Sequence, residues 1–167
     1  MAAVTAGAGF AYAQGGDRLA LDGYGGAGPT LVDVDFHVFV ALGTDGGAVE
    51  LVSARPVGAA GAVEADVQLV RIEGEDPVGT YRGRLRRDYV VVPLGGHVVD
   101  GPLGTTSHWL DVRVRPTETG VVRLASVAVT YRDGFLRERT AELGIPLCLV
   151  AMHLPLEYVD CPISGPA

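Results

Sequence analysis

The sequence predicts an all-β protein in which two antiparallel sheets pack face to face as a sandwich. Three observations predict it. Apolar and polar residues alternate at period two in several short segments, turn residues punctuate those segments at regular spacing, and no stretch sustains a helical period. The 167 residues suit one domain with a sizeable core.

The elements follow in chain order. After a glycine-rich lead, GGDRLALDGYGGAGPT, the run LVDVDFHVFVAL alternates over 31–42. Val32, Val34, Phe36, Val38, Val40 and Leu42 share one face, and Asp33, Asp35 and His37 share the other, read as a solvated outer face. Asp45-Gly46 within TDGG fits a hairpin turn whose central residues need positive φ. Apolar runs at 48–53, 62–72 and 88–94 read as further strands. In HWLDVRVRP, Leu110, Val112 and Val114 point inward and Asp111, Arg113 and Arg115 outward. VVRLASVAVTY changes apolar phase between Leu124 and Val127, which predicts a bulge or a change of partner strand. Asp133-Gly134 marks a second hairpin, and the return strand carries Leu143, Ile145, Leu147 and Leu149 on one face. The expected organisation is an N-terminal arm over 1–27, a sandwich over 28–150 and a C-terminal tail over 151–167.

Charge narrows the function. A net charge of −7 argues against nucleic acid as a partner, because phosphate binding needs a basic surface. All 13 basic side chains are Arg, and the absence of Lys removes the usual Schiff-base nucleophile. The absence of Asn removes every N-glycosylation sequon.

Residues 1–13 are apolar or small and uncharged, too short for the roughly 20 residues that span a bilayer. They read as the outer end of a membrane anchor, as an arm packed on a partner, as a signal-peptidase site at Ala11-Tyr12-Ala13, or as a fortuitous apolar start. The favoured expectation is an extracytoplasmic, membrane-anchored or secreted protein. Cys148 and Cys161, the only cysteines, are consistent with one bridge in an oxidising compartment. Closing a loop of that size stabilises a fold by about 3 kcal/mol in the chain-entropy picture. The alternative is two unpaired thiols; the spacing matches neither a zinc site with His153 nor a redox pair.

No motif carries catalytic chemistry, and the expectation is a non-enzyme without cofactor or metal. Asp33, Asp35 and His37 share a strand face, but alternate side chains are spaced about 7 Å apart and rarely converge on one ion. Ser53, Ser107, Ser126 and Ser164 lie outside any nucleophile elbow, and Ser107-His108 are neighbours that point to opposite faces. GYGGAG precedes no helix and reads as a flexible lead rather than a phosphate cradle. EGED reads as an acidic turn. YRGRLRRDY puts Arg82, Arg84 and Arg86 on one strand face, either paired with nearby carboxylates or available to an anionic partner. Trp109 is either covered by a loop, such as the 95–107 connection, or exposed as an anchor for a partner.

WLDVRVRPTETGVVRLASVAVTYRDG, a strand–Pro–turn–Gly–strand pattern ending in Tyr before a hairpin, resembles the second half of bacterial immunoglobulin-like sandwich domains found outside the membrane. GTYRGRLRRDYVVVPLGGHVV, with Trp109 downstream, is similar to stretches of secreted or single-pass proteins of high-GC bacteria. The resemblance spans residues 30–150 and implies an immunoglobulin-like fold and an extracytoplasmic location. It brings no catalytic residues. Two functions follow as expectations: a non-catalytic interaction module tethered through its N-terminus to a membrane or protein complex, or a subunit of a repeating assembly whose arm packs on the next copy.

Overall fold

The computed structural model describes residues 18–73 and 80–153. The expectations for residues 1–13, for cleavage after Ala13 and for Cys161 lie outside the described residues. The described chain is all-β: β1 (Arg18–Gly23), β2 (Ala27–Leu31), β3 (Phe36–Asp45), β4 (Val49–Val57), β5 (Val63–Ile72), β6 (Thr80–Arg82), β7 (Tyr89–Val92), β8 (Val98–Val99), β9 (His108–Pro116), β10 (Gly120–Arg132) and β11 (Glu138–Met152).

The strands form two sheets. The first runs β1-β3-β9-β5-β7, with β6 also paired to β3, and the second runs β2-β11-β10-β4-β8. The alternating residues meet between them. Val38, Val40, Leu42, Leu69, Leu110, Val112 and Val114 of the first sheet share one buried cluster with Val122, Leu124, Val127, Val129, Leu143, Ile145, Leu147 and Leu149 of the second. Burying apolar area at about 25 cal/mol per Å² makes this shared layer the main stabilising element.

The phase change in β10 is a register shift against β11 between Leu124 and Ser126. From Ser126 onward β10 also pairs with β4. The Asp133-Gly134 segment joins β10 to its antiparallel neighbour β11, as the turn chemistry predicts.

Two expectations need correction. Asp45-Gly46 does not close a hairpin, because β3 and β4 belong to different sheets. Gly46 does adopt a positive φ of 140°, but it serves an arch across the core. Nor is the glycine-rich lead free. Arg18–Gly23 pairs with β3, and Ala27–Leu31 pairs in parallel with β11, so one segment changes sheets. Glycine permits the crossing: a Cβ on Gly25 would lie 2.1 Å from the Pro146 carbonyl oxygen.

One end of the molecule gathers several elements. Arg18 pairs with Asp45, the arch leads to Glu50, and Glu50 is in register with both Arg132 and Val98. The β10–β11 tip and the entry of β1 therefore share that end.

Candidate interaction surface

The outer face of the first sheet is built by three strands. Antiparallel pairing places Phe39 opposite Asp111 and Ala41 opposite Trp109, while β5 brings Gln68 to Asp111 and Val70 to Trp109. This face is covered rather than solvated. Phe39, Val70, Ile72 and Tyr89 form a second buried cluster, against which Tyr81, Leu85 and Trp109 pack. The segment 80–89 is thus a flap lying on the sheet.

His37 and Asp111 sit beneath it, 1 % and 0 % exposed, which corrects the solvated reading of His37; Asp111 points outward as expected but is covered. His37 Nδ1 donates to the Asp111 carboxylate at 2.9 Å, and Nε2 donates to the Gly83 carbonyl at 2.9 Å. A carboxylate and a carbonyl both accept, so the arrangement suits an imidazole protonated on both nitrogens. Burial alone would lower its pKa, but the hydrogen bond and charge of Asp111, with the Gly83 carbonyl and Asp35, outweigh burial and raise it. Gln68 Nε2 donates to the second Asp111 oxygen at 2.8 Å. The pair is therefore compensated on every side, as a buried ion pair must be.

The same groups fasten the flap. Tyr81 stacks on His37 with ring centroids 4.7 Å apart. Its hydroxyl donates to the Arg84 carbonyl at 2.9 Å and accepts from the Arg86 amide at 3.1 Å. Burial pushes this phenol up to about 12. Gly83, at φ 102°, donates its amide to the Asp35 carbonyl at 2.8 Å. Because Nε2 of His37 is committed to a backbone carbonyl, the His–Asp pair anchors the flap rather than activating a nucleophile.

Arg82, Arg84 and Arg86 do not share a strand face, which corrects the sequence reading. β6 ends at Arg82, and the chain turns at Gly83, where the His37 bond fixes a conformation that strand alternation does not describe. All three remain exposed, as does Arg87. Arg86 forms a forked pair with Asp88, at 3.0 and 2.8 Å, beside the Tyr89 ring. Arg82, Arg84 and Arg87 form no ion pair among the described residues. Trp109 is half-buried in the outer cluster, not presented as an anchor, and its Nε1 has no partner among the described residues. Asp33 lies in a turn at φ 61°, and Asp35 pairs with Arg115 at 2.7 Å.

His97 and His108 meet elsewhere, with ring centroids 4.2 Å apart, in an open cleft of about 340 Å³. Burial lowers both pKa values, and at His108 the charges of His97 and Arg71 add to that effect. Ser107, Thr106 and Asp100 also line the cleft. Among the described residues no group of three or more His, Cys, Asp or Glu is arranged to hold a metal ion.

Sequence reasoning missed the burial of His37 and Asp111. The available signal was a His on the same face as Phe39, and a nearby tyrosine-bearing segment able to cover them. Compared with known proteins, the chain matches no family model, no curated protein and no solved structure.

Proposed function

We propose that this domain is a non-catalytic extracytoplasmic interaction module, tethered through its N-terminal residues and contacting an acidic protein surface through the arginine flap. The observation that carries this reading is the contrast in charge and rigidity. A chain of net charge −7 displays three arginines that form no ion pair among the described residues, Arg82, Arg84 and Arg87, on a segment clamped by a buried His37–Asp111 pair. Guanidinium forks held on a fixed support suit carboxylates, and their low ordering cost favours recognition.

We read the fold as immunoglobulin-like. With β2 and β6–β8 set aside, the strand order β1-β3-β9-β5 facing β4-β10-β11 follows the A-B-E-D and C-F-G order of such domains. That correspondence supports the reading, as does the sheet-to-sheet passage of the chain from β3 to β4 and from β9 to β10. A Cys148–Cys161 bridge belongs to the same proposal; Cys148 is half-buried on β11. Intact mass after alkylation without reduction is then unchanged by the reagent.

The test is a photo-crosslinking residue in place of Arg84, in cells that naturally make the protein, combined with protease treatment of intact cells. A discrete protein adduct that disappears in an Arg82→Ala/Arg87→Ala background, on a chain accessible from outside, is the expected result. No adduct, or a chain protected from external protease, overturns the reading. Adducts formed with further copies of the chain move the assignment to a repeating assembly.

A further inference from the structure

Asp133, itself 3 % exposed, organises the turn between β10 and β11. Its Oδ1 accepts from the Phe135 and Arg137 amides at 3.0 Å each, and its Oδ2 accepts from Arg139 Nε at 2.9 Å. The Leu136 amide donates to the Asp133 carbonyl at 2.8 Å. This clamp holds two apolar side chains in solvent: Phe135 is 73 % and Leu136 78 % exposed.

Leu136 is doubly out of place. It adopts φ 60°, the left-handed region, where this turn geometry favours glycine. It also gains nothing from burial. A rigid turn that keeps a strained leucine beside an exposed phenylalanine is built to present both. Arg137 lies over the Phe135 ring, 5.7 Å from its centroid, and forms no ion pair among the described residues.

We propose that this tip inserts into the interfacial layer of a phospholipid bilayer, with Phe135 and Leu136 among the acyl chains where they meet the headgroups and Arg137 at phosphate level. The inference rests on the tethered-module reading, which supplies a membrane, and it names the face that meets it. Three observations favour lipid over a protein pocket. The tip lies at the end where β1, the first described strand, begins. An aromatic ring beneath a cation suits the water–lipid boundary. The two exposed apolar side chains, Phe135 and Leu136, also make a patch far smaller than the roughly 800 Å² per partner of a stable protein interface.

The test uses the full chain carrying Phe135→Trp, mixed with phosphatidylcholine–phosphatidylglycerol vesicles whose acyl chains are brominated. The introduced indole is expected to shift to the blue and to be quenched, while Trp109 in the unsubstituted chain is not. Leu136→Gly, which removes the side chain and relieves the backbone, is expected to lower vesicle partitioning about tenfold without lowering the melting temperature. A chain that sediments with vesicles while the introduced indole stays unquenched overturns this inference and leaves the tether reading standing. A chain that neither sediments nor is quenched also overturns it. The photo-crosslink at position 84 reads the flap separately. A photo-crosslink from position 135 to a protein, with no response to vesicles, assigns the tip to a protein pocket instead.

Discussion

His37 and Asp111, 74 residues apart in the chain, meet through one Nδ1–H shared between both carboxylate oxygens, in a pair sealed from solvent by a flap which the same imidazole holds down. Removing one partner leaves the other buried without compensation. His37→Ala is expected to cost about 3 kcal/mol by urea denaturation. It should also release the flap, so that trypsin cuts after Arg82–Arg87 at concentrations the unsubstituted chain resists. Arg113→Ala, which breaks an exposed pair with Asp66, should cost less than about 1 kcal/mol. Equal losses in the two variants would contradict the anchoring role.

The histidines pull the pH dependence in opposite directions. The pKa of His37 is raised above 6.5 by folding, so its contribution is full below 6.5 and is lost as pH rises through the folded value. His97 and His108 have lowered values, so their neutral forms favour the fold above 6.5, and that contribution is lost as pH falls through the folded values. Stability should therefore fall on both sides of a maximum near 6.5. In His97→Gln/His108→Gln the acid-side loss should shrink while the alkaline-side loss persists, as read by melting temperature across pH.

Leu136→Gly should stabilise the fold. A leucine in the left-handed region costs about 1 kcal/mol, and glycine relieves it. For a domain of this size a gain of that order raises the melting temperature by about 2–4 °C. An unchanged or lower melting temperature would show that the side chain is held by contacts in the folded state.

Tyr131 is fully buried, yet its hydroxyl has no hydrogen-bond partner among the described residues. An unsatisfied buried hydroxyl is a liability, so Tyr131→Phe is expected to be neutral or to stabilise by about 1 kcal/mol. Destabilisation of similar size in urea would reveal a partner for the hydroxyl.

Much of the strand framework is legible in the sequence because a core between two sheets imposes period two. Leu110, Val112, Val114 and the Leu143–Leu149 set all face inward as their alternation predicts. The break after Leu124 is legible for the same reason, since a slip in register shows as a slip in phase. Sheet membership is not. Asp45-Gly46 has hairpin chemistry, but nothing local distinguishes a turn within a sheet from an arch across the core. Edge strand β2, AGPTL, carries no alternation, and the short alternation of β1, with Leu19 and Leu21 buried, was masked by the glycines on either side of it. The surface beneath the flap was hidden for a different reason. Alternation gives the direction of His37 and Asp111, whereas their burial depends on residues 80–89 folding back over them. At the tip, Asp133-Gly134 signals a turn, but the strained residue is Leu136, two places further on.

The change of sheets between β1 and β2 has a mechanical consequence. Residue 18 enters at the end that carries the Asp45 arch, and β11 finishes at the opposite end, side by side and parallel with β2. Tension applied between the two termini of the described chain would load β1 along β3 and slide β2 along β11 instead of peeling it away. The bonds from Ala27–Leu31 to Cys148–Met152 would then bear the load together, not one after another.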